Sequence, residues 1–166
     1  NIGGQPREHL ATVHATTGAV NAWAPGPDGE VRALLLNGGS VYAGGYFATI
    51  GGAGRSGLAE VSTVSGLATG WNPAPDQGVE CLARDGGTLY VGGSFGLIGG
   101  QPRALLAAVD LRTALAQRFN AGLGSFTSVR SLQWDGTNLQ ACGGFSGAQH
   151  RPNSNVVSFA LAASGV

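Results

Sequence analysis

The stretch "LYVGGSFGLIGGQPR", Leu89 to Arg103, carries two Gly-Gly pairs, one behind an apolar run and one ahead of an arginine. Such glycines let backbone N–H groups approach a phosphate, and a phosphate-binding loop would occur once in a chain. This stretch recurs. "IGGQPR" at Ile2 to Arg7 returns as "IGGAGR" at Ile50, as "IGGQPR" at Ile98 and as a worn "SGAQHR" at Ser146 to Arg151, each 48 residues after the last. The preceding run recurs as "VYAGGYF" from Val41, "LYVGGSF" from Leu89 and, with a small shift, "LQACGGF" from Leu139. Trp23, Trp71 and Phe119 keep the same interval. A fixed period in the forties marks a repeated fold unit, so the glycines belong to architecture and not to a cofactor site.

Composition bounds the class. The chain has 166 residues, enough for a sizeable core, and its 43% hydrophobic content is too high for disorder. Nine arginines, with no lysine, balance nine acidic residues. A net charge of zero removes the electrostatic reason to expect nucleic acid or an anionic membrane. No apolar run is long enough to insert in a membrane as a helix, and no signal peptide is evident. Methionine is absent, so Asn1 is expected to follow processing or excision from something longer.

Each unit reads as four short strands: "VECLARD" and "TLYVGG" around Gly86-Gly87, a third of the "LAEVS" type, and a fourth of the "ATGWN" type. No segment has a capped 3.6-residue period, so helix should be almost absent. "VRALLL", Val31 to Leu36, is apolar on both faces and is expected to lie sandwiched between neighbouring sheets. The fold class is therefore all-β, a β-propeller-type array of four-stranded antiparallel sheets with about 3.25 repeats and a ring incomplete within this chain. The whole of 1–166 forms one array, with units near 1–30 (partial), 31–78, 79–128 and 129–166 (partial).

The order apolar-Tyr-apolar-Gly-Gly, Arg loop, Val-Asp, Trp resembles the kelch group, and more closely the glycine-rich bacterial propeller repeats of unknown function called delta-sixty repeats. Tyr90, Gly92, Gly93, Arg103, Val109, Asp110 and Trp71 carry that resemblance. It implies that the strand after each Pro-Asp loop lies innermost and the Trp strand outermost. It implies nothing about activity, because such folds are scaffolds for unrelated functions.

Structural roles account for the recurring residues. Gly44, Gly45, Gly92, Gly93, Gly143 and Gly144 end the second strands, where a side chain would meet the adjacent sheet. Gly51-Gly52 and Gly99-Gly100 supply positive φ in the loop that follows. Arg7, Arg55, Arg103 and Arg151 should brace that loop by bonding its carbonyls. Trp23, Trp71 and Phe119 read as packing between sheets before sugar platforms. Asp28 and Asp76 read as turn caps, with calcium binding the alternative. His9, His14 and His150 share no metal-ligand spacing, and Tyr42 and Tyr90 are one repeat position, which excludes a galactose-oxidase-like copper centre. Cys81 and Cys142 are expected on successive sheets roughly 10 Å apart, as buried free thiols.

No catalytic, cofactor or metal residue is assigned. The expected function is a non-catalytic extracellular or cell-surface module, structural, self-assembling or adhesive. The alternatives are a lectin-like glycan binder using repeated loop pockets and, behind it, a fragment of a propeller-containing enzyme. Open sheet ends direct the expected partners, which are further copies of the chain or the rest of a longer parent. Leu10 and Val13 at one end, and Val157, Phe159 and Leu161 at the other, are the assembly candidates.

Overall fold

The computed structural model describes residues 2–124, 127–145 and 155–161. Among these the protein is all-β, with several antiparallel sheets and no helix. The first sheet contains β1 (Glu30–Asn37), β2 (Ser40–Tyr46) and β5 (Leu58–Ser62), ordered β1-β2-β5. Between β2 and β5 lies a miniature hairpin, β3 (Thr49–Ile50) with β4 (Ala53–Gly54).

The second sheet repeats the pattern with β6 (Val79–Asp85), β7 (Thr88–Gly93), β10 (Leu106–Asp110) and β11 (Ala116–Asn120), and its miniature hairpin is β8 (Leu97–Ile98) with β9 (Gln101–Pro102). The third sheet holds β12 (Val129–Trp134), β13 (Asn138–Gly143) and β14 (Val156–Ala160). The sheets stack in chain order, with β1 and β12 each lying beside β6.

Among the described residues only the second sheet has four regular strands. In the first, the fourth segment is reduced to a bridge between Val61 and Ala68, with Thr69 N–H donating to the Glu60 carbonyl. Gly70 lies in that segment where the second sheet has Arg118, and an interior glycine weakens a strand. Among the described residues no sheet closes.

Two devices recur. Each miniature hairpin turns on a glycine pair with both φ positive, 60° and 74° at Gly51-Gly52 and 57° and 74° at Gly99-Gly100, the mirror-type turn that suits right-handed strand twist. Each first strand carries a bulge near its start, between Val31 and Ala33, Val79 and Cys81, and Val129 and Ser131.

The core lies between the sheets. Leu35, Tyr42, Leu58 and Trp71 meet Leu82, Leu89, Val91 and Val109 between the first two. Cys81, Tyr90, Leu106 and Phe119 meet Leu139, Ala141, Phe145 and Phe159 between the second and third. The far side of the first sheet receives Leu10 and Trp23 on Ala43, Ala59 and Val61.

The expectation that Val31 to Leu36 is sandwiched holds for one face only. Leu34 is 53% and Leu36 69% exposed. Among the described residues, those ahead of β1 cover the outer half of that face and leave the β1 half open.

Candidate functional site

The arginines act alike. Arg7, Arg55 and Arg103 each donate one terminal N–H to the preceding carbonyl, of Pro6, Gly54 and Pro102, and another to the carbonyl fourteen residues on, of Asn21, Thr69 and Gln117. Each guanidinium thus ties its loop to the fourth segment of its own unit, a regular strand only in the second sheet, and in all three the Nε–H is buried without a protein partner. Arg151 and His150 lie outside the described residues.

The tryptophans tie one unit to the next. Trp23 Nε1 donates to the Ser62 carbonyl at 2.8 Å, and Trp71 Nε1 to the Asp110 carbonyl at 3.1 Å. Phe119 has no N–H to offer and makes edge contacts with Tyr90 and Phe159, centroids 6.0 and 5.5 Å apart.

The glycines mark close approach. A Cβ on Gly44 or Gly92 would collide with Val79 or Val129 of the following sheet, and one on Gly45 or Gly93 with a carbonyl of its own first strand, that of Glu30, or with the Gly78 carbonyl. The third sheet corrects the alignment by one residue. Cys142 pairs with Ser131 as Gly92 pairs with Cys81, so Cys142 occupies the place of Gly44 and Gly92, Gly143 that of Gly45 and Gly93, and Gly144 that of Tyr46. Both cysteines are free. Burial pushes the Cys81 thiol up to about 12, whereas Cys142 is half-buried and not buried as expected, because no described sheet covers it.

Asp28 Oδ1 accepts from Ala48 and Thr49 N–H at 2.8 and 2.9 Å, and Asp76 Oδ1 from Gly96 and Leu97 N–H at 2.8 and 3.0 Å. These bonds hold the Asp28 carboxyl below the usual carboxylate range. His9 is exposed at a positive φ of 53°, and His14 Nδ1 bonds the Thr16 hydroxyl.

The sheet faces differ most from end to end. On the face that the first sheet turns to the second stand Leu35, Tyr42, Leu58 and Glu60, and their counterparts on the second sheet are Ala83, Tyr90, Leu106 and Ala108. On the third sheet the same positions are Gln133, Gln140, Val156 and Ser158, all exposed. Among the described residues this face is therefore largely polar, with Cys142 and the exposed Val156 its apolar members.

Val157, Phe159 and Leu161 therefore point the other way: Phe159 is buried and the other two are half-buried against the same core, so much of their apolar surface is covered within the chain. At the opposite end Leu10 is buried, Val13 is 51% exposed, and Leu34 and Leu36 are open. The polar finish was readable in the sequence as the loss of the repeat tyrosine at Gln140.

No protein-family model matches the sequence and no curated protein matches it. Among solved structures the chain is similar to the computationally designed Ika4 protein, at 14% identity and a TM-score of 0.43, over 82% of this chain and 94% of that one.

Proposed function

We propose that the chain is a non-catalytic structural or adhesive module of β-propeller type, kelch-like in its repeat, that works by joining the open face of its first sheet to another polypeptide. One observation carries this reading. Leu34 and Leu36 stand 53% and 69% exposed, whereas Leu82, the counterpart of Leu34, packs into the core between two sheets, and the counterpart of Leu36 is the charged Arg84. Apolar residues kept where the same fold elsewhere uses burial or charge mark an interaction surface.

The repeat specifies the occupant. Leu10 already fills the place of Leu58 on this face, and what is missing is a hairpin with an aliphatic residue and a tyrosine at the register of Leu35 and Tyr42. Such a hairpin pairs with the strand-like segment around Val13 and covers Leu34 and Leu36 at once. Another copy of the chain or the remainder of a longer parent supplies it. The lysine-free, low-charge composition supports placement outside the cell or at its surface.

Sedimentation velocity across a concentration series tests the reading. The intact chain is expected to associate, and Leu34→Glu with Leu36→Glu to sediment as a monomer with an unchanged circular dichroism spectrum. A wild type that stays monomeric at every concentration, with no stability advantage from hairpin supply, contradicts it.

A further inference from the structure

The two inter-sheet grooves are built on one plan and finished differently. Between the first and second sheets, Glu60 accepts from the Tyr42 hydroxyl at 3.1 Å and from the Thr69 hydroxyl at 2.6 Å. Between the second and third sheets, Ala108 replaces Glu60, Gln117 replaces Thr69, and Trp134 replaces Arg84. The Tyr90 hydroxyl therefore has no carboxylate at the position from which Glu60 bonds Tyr42. What remains is a cleft of about 460 Å³ lined by Asp85, Thr88, Tyr90, Gln117, Trp134 and Thr137.

The geometry points to this cleft as a binding site for a small neutral polyhydroxyl ligand, a monosaccharide or the end of a glycan. Trp134 and Tyr90 stack at 6.1 Å with 27° between their planes, giving the cleft an aromatic wall. Around it stand groups of mixed hydrogen-bonding sense: the Asp85 carboxylate accepts, the Tyr90 and Thr137 hydroxyls do both, and Gln117 and Thr88 bond one another at 3.1 Å with capacity to spare. A sugar has one C–H face for an aromatic wall and hydroxyls that both donate and accept, so it matches this lining. No arginine lines the cleft, which disfavours phosphates and other anions. This set of side chains occurs once among the described grooves, since Glu60 and Arg84 stand at the places of Ala108 and Trp134 in the other, in contrast to the equal pockets expected of a repeat lectin, and it is independent of the open face of the first sheet.

The test is Trp and Tyr fluorescence, with indole N–H chemical shifts in ¹H–¹⁵N spectra, on the full chain titrated with glucose, galactose, mannose, xylose and cellobiose, and with tetramethylammonium as a cationic probe. A saturable response of Trp134 to at least one sugar is expected. Ala108→Glu, which copies Glu60, is expected to bond the Tyr90 hydroxyl and weaken binding by roughly tenfold or more. Asp85→Asn, at an exposed position, should also weaken binding while leaving the circular dichroism unchanged, so the proposal stays testable if Ala108→Glu folds poorly. No response to any sugar overturns the proposal. So does a response to tetramethylammonium alone, or sugar binding left undiminished in both folded variants.

Discussion

A guanidinium that spans two carbonyls cannot be replaced by a point charge. Arg103 joins the Pro102 and Gln117 carbonyls at 2.7 Å each, so Arg103→Ala is expected to cost about 2 kcal/mol, and Arg103→Lys to recover less than half of it, by urea denaturation. The cysteines predict a second contrast. Cys81 is buried with its thiol held up to about 12, so a disulfide reagent at neutral pH should label Cys142 well before Cys81.

Asp28, Asp110 and Asp135 are each held below the ordinary carboxylate range, chiefly by bonds from backbone N–H groups. A depressed folded-state pKa adds stability that is complete above the unfolded value and is lost as pH falls through the folded one. The urea midpoint should therefore fall on acidification below about pH 4, and Asp135→Asn should flatten that dependence. These residue roles were legible because the repeat shows each of them more than once. The Gly143-Gly144 pair stands one residue beyond the places of Gly44-Gly45 and Gly92-Gly93, because Cys142, opposite Ser131, takes the first glycine's position and "LQACGGF" keeps the doublet without its register.

At the scale of the element, hairpins and turn glycines followed directly from local chemistry, since Gly51-Gly52 and Gly99-Gly100 need a conformation that side chains rarely adopt. The fourth strand did not follow. The sequence pattern is alike in "ATGWN" and "ALAQRFN", yet only the second forms a full strand, and Gly70 against Arg118 is the local difference. Gly70→Thr is expected to extend the ladder beyond the Val61–Ala68 bridge, read as slower amide exchange at Thr69 and Trp71. Which side of β14 faces inward was also hidden. Its alternation of Val157 and Phe159 with Val156 and Ser158 specifies two faces, and only packing on Phe119 decides that Phe159 turns toward the chain's own core.

For the molecule as a whole, the repeat period announced stacked sheets but not that their two ends differ in chemistry. Among the described residues Gln133, Gln140 and Ser158 make one end largely polar around the exposed Val156, while Leu34 and Leu36 leave the other apolar. The most direct test is the thermal midpoint of the chain carrying a second copy of residues 30–48 ahead of its first residue, which by the 48-residue period supplies the missing hairpin in register. Covering Leu34 and Leu36 is expected to add about 3 kcal/mol, a rise of roughly 6–12 °C, and the same copy with Asp at the positions of Leu35 and Tyr42 should add none of it. An unchanged midpoint with the intact hairpin, or an equal rise with the Asp-bearing one, would contradict the account of that face as a docking surface.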